Sequence, residues 1–468
     1  ANIIQPKTND LVAGFDPAYI GYLYRLTLAP GETRALVTFV VKGRSETYDP
    51  RGGPEPIRTG GLLSTWYDAP YTGTDRAVPA AGSEIARVTA IARQLAASPD
   101  LRGLTPRQQA AIANWPMPPA TLAPFTVFEK TVADLAEAMT RGVVTSEDIV
   151  AEYLRRATTF DRHGPTFRAL LSLSPRALAD ARQRDAERAA GRVRSPFHGV
   201  PIVLKDNIDA TELPTTGGAL ALVDHRPRID SKVAAGMKAG GAIVLGKANL
   251  DEFPFGDFGI STVGGTVGHA YDPSLSTAGS SGGSASAAAR SLAPLAFGTD
   301  TCNSLSNPAG FASLATIRTT RGLTSRAGVM PLNPYNDAVG PMGKTVRDVA
   351  MALDLVTGPD TEDAVTAESA AHAGPSFAAG LAAASLKGVR IGAFRQRFVG
   401  ATGEREAAEA MEQAIRDLRA AGAEVVDVAI PDYDAEYAKA RGAAPGSLRA
   451  GWEAYLGRGA QPGDGVLT

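Results

Sequence analysis

Residues 277–308, TAGSSGGSASAAARSLAPLAFGTDTCNSLSNP, decide the reading of this chain. Two turns rich in hydroxyls, Gly279-Ser280-Ser281-Gly282-Gly283-Ser284 and Gly298-Thr299-Asp300-Thr301-Cys302-Asn303-Ser304, flank a small-residue segment, 285–289, that reads as a tightly packed helix. Glycine opens backbone conformations closed to other residues and lets a ligand come close to the main chain. Consecutive N–H groups in such turns form a concave site for an anion. A hydroxyl beside donors of that kind is what acyl transfer needs, a nucleophile next to groups that hold a developing oxyanion. A flexible linker would not alternate its glycines and serines with apolar residues such as Leu292, Leu295 and Phe297.

Working outward, Pro201-Ile202-Val203-Leu204 is a short apolar run, read as a buried strand that delivers Lys205 at its end. Residues 231–239 read as a helix and 242–246 as another buried strand. Thr131 starts a helix with Val132, Leu135, Ala136 and Met139 at helical spacing, and Thr145-Ser146-Glu147-Asp148 caps a second. Residues 175–190 form a charged surface helix, and the Ala-rich segment 367–384 an exposed helix or loop. Downstream, 389–394 reads as a strand, 405–421 as a helix and 424–430 as a strand. This alternation argues an α/β fold, a mixed β-sheet flanked by helices.

Three motifs carry a resemblance. Val203-Leu204-Lys205-Asp206-Asn207, then Gly279-Ser280-Ser281-Gly282-Gly283-Ser284, then Gly298-Thr299-Asp300-Thr301 ending on Ser304, resemble the amidase signature family in content and order. Lys205 lies about 75 residues before Ser280, and Ser304 about 24 after it. The resemblance runs from about Phe125 to near the end of the chain. It implies a serine hydrolase acting on amides and related acyl compounds through a Ser–cis-Ser–Lys triad. Ser304 is then the nucleophile, Lys205 the base, and Ser280, after a cis Gly279–Ser280 bond, the proton relay between them. The loop Thr301, Cys302, Asn303 is the implied oxyanion hole, and Ser281 a supporting group of the same site. A lysine serves as base at neutral pH only if burial depresses its pKa, which the end of an apolar strand provides. Asp206 and Asn207 are expected to orient the lysine loop and Asp300 the nucleophile loop. Met330, Pro331, Leu332, Tyr335 and Asn336 are candidates for the acyl pocket.

Three departures stand out. Cys302-Asn303 replaces the Gly-Gly usual before the nucleophile, Leu305-Ser306 replaces an Ile-Arg pair after it, and the family core continues past Thr468, so the C-terminal part of that core is expected to be missing. Two rivals fare worse than Ser304. Cys302 has no histidine near it in sequence to form a thiolate. Gly279-x-Ser281-x-Gly283 matches a nucleophile elbow, but of the five histidines only His372 follows it, in an Ala-rich stretch.

The 468 residues suffice for two or three domains. Residues 1–116 are read as a smaller β-containing accessory module, with strand-like runs at 20–28 and 35–41 around Ala29-Pro30-Gly31-Glu32. That pattern is similar to the end of β-sandwich domains of secreted bacterial multidomain proteins, which points to an extracytoplasmic location without excluding a cytoplasmic one. An N-terminal extension packed on the core is the equal alternative. Trp115-Pro116-Met117-Pro118-Pro119 marks the boundary, and 117–468 is the amidase domain. A net charge of −2 gives no basic surface for nucleic acid or an anionic membrane. The single cysteine excludes an internal disulfide, and His163, His198, His225, His269 and His372 have no metal-ligand spacing. The expectation is therefore no metal or organic cofactor, a small-molecule amide substrate, and a homo-oligomeric state left open. The alternatives are a catalytically impaired binding protein of the same fold, a hydrolase acting mainly on esters or carbamates, and a transamidating subunit working on aminoacyl-tRNA.

Overall fold

The computed structural model describes residues 125–162, 167–369, 376–395, 405–442 and 448–458. The accessory module expected over 1–116, the proline-rich boundary, His163 and His372 lie outside the described residues.

Helices α1 (Val132–Thr140) and α2 (Ser146–Arg156) start where their caps place them. Thr131 and Thr145 each accept from the backbone three residues on, and Asp134 and Asp148 return the bond in reciprocal capping boxes. Next come β1 (Leu170–Leu173), α3 (Ala177–Ala189), β2 (Pro201–Lys205), α4 (Lys232–Ala239) and β3 (Ile243–Ala248). A small ribbon, β4 (Ile260–Ser261) and β5 (Gly265–Thr266), leads to α5 (Gly282–Ala289), β6 (Leu295–Asp300) and α6 (Ser306–Phe311). The core closes with β7 (Ala315–Thr316), β8 (Ala338–Gly343) and α7 (Val346–Val356).

Six strands form one mixed sheet in the order β1-β3-β2-β6-β8-β7. β3, β2 and β6 run parallel, while β1, β8 and β7 pair antiparallel to their neighbours. Every residue of β2, β3, β6 and β8 is buried, as strands covered on both faces require. Helix α5 is buried at all eight positions and packs on β2, β6 and β8. Its Gly-Ser-Ala composition permits that depth, and Ser284 and Ser286 return their hydroxyls to the carbonyls of Phe297 and Gly268. The packed helix expected over 285–289 thus extends back to Gly282.

Three central elements differ from the sequence reading. β6 and β8 do not show as strands in the sequence because Gly298, Gly340, Pro341 and Gly343 interrupt them, and glycine and proline ordinarily weaken a strand. Pairing of β6 with β8 along their whole length, with β2 and β7 joining on the outer sides, overrides that local penalty. α7, capped by Thr345, has no counterpart in the expected elements. The downstream strands are shorter than expected, β9 (Arg390–Ala393) and β10 (Glu424–Asp427), and pair parallel as a separate two-stranded sheet. Helix α8 (Arg405–Ala420) covers it, with Ala393, Ile415, Ala423 and Val425 as its core. Helices α9 (Tyr433–Gly442) and α10 (Leu448–Gly457) complete the described chain.

Candidate active site

β2 and β6 are adjacent and parallel, with Leu204 beside Phe297, so Lys205 and Thr299 emerge together at their carboxyl ends. The edge of a sheet outside carboxyl ends is where open α/β folds place ligands. Lys205 is fully buried, and its Nζ donates to Ser280 Oγ at 2.7 Å and to Thr299 Oγ1 at 2.9 Å. Burial pushes the amine down from 10.5 to about 7, while Asp251, Asp300 and Asp337 pull it back up. A buried ammonium loses its hydration and recovers only part of it from fixed dipoles, so the neutral form becomes accessible near neutrality.

Ser280 follows a cis peptide bond from Gly279 and has no exposed surface. The turn is braced from behind by Asp251, whose carboxylate accepts the backbone N–H groups of Phe258, Gly259 and Ile260 at 2.9–3.2 Å. Asp251 N–H in turn donates to the Ser280 carbonyl at 3.2 Å. Gly279 has no room for a side chain: a Cβ there would sit 1.9 Å from Asp251 Oδ2.

Ser304 is 5% exposed, on the turn after β6. Its carbonyl accepts from Ser281 N–H at 3.3 Å, which ties the turn after β6 to the serine turn. Ser281 Oγ donates to the Thr299 carbonyl at 3.1 Å and also receives Thr299 N–H. Among the described residues the Ser304 hydroxyl makes no hydrogen bond, and the N–H groups of Cys302, Asn303 and Ser304 donate to no protein group. Consecutive backbone donors without protein partners beside such a hydroxyl are the feature from which anion-binding turns are built. Asp300 shapes it: Oδ2 accepts Leu305 N–H at 2.8 Å and Oδ1 the Arg318 Nε at 3.0 Å. Arg318 is thus the cationic partner of this carboxylate. Thr301 donates to Asp337 at 2.6 Å, and that carboxylate, raised by burial, also receives Leu332 and Asn333 N–H. Cys302 is exposed.

Of the remaining sequence candidates, Asn207 reaches Thr299 Oγ1 at 3.1 Å, and Asp206 pairs with buried Lys247 at 3.1 Å. Met330 is buried and its N–H donates to the Asn207 carbonyl, whereas Tyr335 is half exposed beneath Arg321. Pro331 lines a pocket of about 440 Å³ that it shares with Asp337, Arg326, Tyr455 and Arg458. Among the described residues no group of three or more His, Cys, Asp or Glu is placed to hold a metal ion, and no helix is long and apolar enough to cross a membrane. The sequence reading missed Thr299, Asp251, Lys247, Arg318 and Asp337. Thr299 stands inside one of the three motifs without a role of its own there. The others signal themselves only as charges in otherwise apolar or turn-forming runs, and their partners lie up to 41 residues away or on other strands.

The family profile described as Amidase matches residues 148–447, well over half of the chain. One of the subunits of glutamyl-tRNA(Gln) amidotransferase from Roseiflexus castenholzii is 35% identical over 306 residues, 65% of this chain and 61% of that protein. The corresponding protein of Chloroflexus aurantiacus is 35% identical over 302 residues, 64% of this chain and 60% of its own. The chain therefore spans about three fifths of the length of these relatives. Among solved structures, native peptide amidase from Stenotrophomonas maltophilia superposes with a TM-score of 0.64 at 38% identity, covering 71% of this chain and 69% of that one. The structure of the like-named amidotransferase protein from Thermotoga maritima gives 0.60 at 25%, covering 71% and 67%. A lysine, a cis-linked serine and a hydroxyl-bearing turn at one sheet edge, with sequence kinship over most of the core, lead to one conclusion: the chain belongs to the amidase family.

Proposed function

We propose that this chain hydrolyses a linear carboxamide at its C–N bond through an acyl-enzyme on Ser304. Neutral Lys205 takes the Ser280 proton as Ser280 takes that of Ser304, and the freed Ser304 oxygen attacks the carbonyl carbon. The oxygen that becomes negative meets the N–H groups of Cys302, Asn303 and Ser304. The proton then returns through Ser280 to the leaving nitrogen, the C–N bond breaks, and water repeats the attack on the Ser304 ester. The observation that carries this reading is the 2.7 Å contact of Lys205 with Ser280, buried, with the amine lowered to about 7. A lysine in that state has little use as a surface charge and is suited to accept a proton.

A panel of aryl amides and matched aryl esters tests it. Ser304→Ala and Lys205→Met are expected to lose at least about a hundredfold in kcat/KM on amides, the scale for removing groups that act in the transition state. Equal rates in all three proteins would overturn the mechanism. A wild type that cleaves only esters or carbamates would narrow the substrate class. A folded wild type that cleaves nothing and takes up no serine-directed phosphonate at Ser304 would favour a binding protein.

The relatives named as parts of glutamyl-tRNA(Gln) amidotransferase favour a second reading, the same cleavage performed within a tRNA-linked amidotransferase. A net charge of −2 lends it no basic surface. Turnover of free amides without tRNA or a second protein would decide for the stand-alone hydrolase.

A further inference from the structure

We infer that Thr299 and Asn207 are positioning residues that aim the lone pair of neutral Lys205 at Ser280; the inference rests on the reading of Lys205 as the base. The Lys205 nitrogen has three oxygen neighbours: Ser280 Oγ at 2.7 Å, Thr299 Oγ1 at 2.9 Å and the Thr299 carbonyl at 3.5 Å. An ammonium places one proton on each. A neutral amine has two protons and one lone pair. It is a base toward Ser280 in only one of its arrangements, with both protons on Thr299 and the lone pair on Ser280. The Ser280 hydroxyl can accept or donate, so its bond to Lys205 reverses when the proton moves. The two bonds to Thr299 must not reverse.

The Thr299 carbonyl accepts by nature. Its hydroxyl must be kept from donating to Lys205, which would turn the lone pair toward the wrong neighbour. Asn207 is the group that decides this. Its side chain is buried, its amide nitrogen sits 3.1 Å from Thr299 Oγ1, and Met330 N–H holds its main-chain carbonyl at 2.8 Å. With the amide nitrogen toward Thr299, Asn207 Oδ1 is buried without a partner among the described residues, and the Thr299 proton is left to seek the amine. Turning the amide by 180° exchanges two atoms of nearly equal size. The carbonyl oxygen then takes the Thr299 proton and both Thr299 lone pairs are left for donors. In either orientation one amide atom faces no protein partner; the Met330 carbonyl, 3.5 Å from the atom that faces Thr299, favours nitrogen there, but that contact is long and the Thr299 hydroxyl at 3.1 Å weighs more. It is best served by the oxygen.

The charged groups around Lys205 are Asp251 after β3, Asp300 at the end of β6 and Asp337 ahead of β8. Each is held by its own backbone, hydroxyl or arginine partners, and the neighbouring Asp206 is paired with Lys247. Substitutions at Thr299 and Asn207 remove none of them. The experiment is kcat/KM and kcat against pH for the full chain on an aryl amide that wild type cleaves, with Lys205→Met as reference. Thr299→Val removes an acceptor from the ammonium, so the acid limb is expected to move to lower pH while the plateau kcat falls about tenfold or more and KM holds. Thr299→Ser restores limb and plateau together, which separates this role from a packing defect. Asn207→Asp keeps an acceptor for Thr299 and adds negative charge, so the limb moves up by about one pH unit and the plateau above it is retained. If wild type has no limb near 7, or Lys205→Met stays active, the base reading falls and the inference with it. If that reading holds while Thr299→Val leaves limb and plateau where they were, or Asn207→Asp loses its plateau, the inference alone is overturned.

Discussion

Lys205 is a lysine whose proton the folded chain gives up near 7 and the unfolded chain keeps to about 10.4. Between those values the unfolded state binds more protons, so this group makes the fold more stable as pH rises from 7 toward 10. The prediction is a denaturant midpoint that climbs between pH 7 and 9 in wild type and climbs less in Lys205→Met. Identical slopes would mean that the amine is not desolvated as its burial indicates. At the same scale, Arg318 is the cation that holds Asp300 beneath the turn carrying Ser304. The Asp300 carboxylate takes its cationic partner from Arg318, 18 residues along the chain, and a second donor from the N–H of Leu305.

At the scale of the element, α5 is the part least able to change. A Cβ on Gly283 would meet the Asn249 carbonyl at 2.2 Å and the Ala169 carbonyl at 2.7 Å, both main-chain atoms of the neighbouring segments. Nothing there swings aside as the end of a flexible side chain would. Gly283→Ala is therefore expected to cost about 1–3 kcal/mol or more in chemical denaturation, despite alanine's better helix propensity. A variant as stable as wild type would refute the seating of α5. The same helix begins directly after Ser280 and Ser281, so the loss is expected to reach activity as well. Small residues in this stretch serve depth, and depth lets a helix start deliver two serines to a sheet edge.

At the scale of the whole described core, α10 matters more than its place in the chain suggests. The family match ends at residue 447 and α10 begins at Leu448, yet this helix is fastened to the core. Tyr455 donates to Asp209 Oδ1 at 2.8 Å, and Arg458 reaches the carbonyls of Ile229 and Asp230 and the Glu362 carboxylate at 2.9–3.1 Å. Trp452 stands edge-on to Phe253 at 5.6 Å; Phe253 N–H bonds Gly217, whose own N–H bonds the carbonyl of Asp206 beside Lys205. Burial raises the Asp209 carboxyl to about 6, so at pH 7.5 Tyr455 donates to a carboxylate and the bond is charge-assisted. Tyr455→Phe should cost about 1.5–3 kcal/mol. Hydrogen exchange should read this as faster exchange confined to α10, with β2 and β6 unchanged. Uniform protection in both proteins would show that Tyr455 is not the fastener.

What the sequence determined by itself was whatever short-range chemistry and order along the chain can carry. Capping threonines with their return carboxylates located α1 and α2, an apolar run located β2, and three motifs in order pointed to the amidase family and an α/β sheet. The roles of Lys205, Ser280 and Ser304 rest on that resemblance and remain to be tested by activity. Only the tertiary structure decided that glycine- and proline-bearing segments become the central strands β6 and β8, since pairing on both sides compensates a backbone that local propensity disfavours. It alone decided that β9 and β10 leave the main sheet. It also decided the partners of the buried charges: Asp206 with Lys247, Asp300 with Arg318, Asp337 with Thr301 and Asp209 with Tyr455. A buried charge must find a partner wherever the fold brings one, and distance along the chain does not enter that choice.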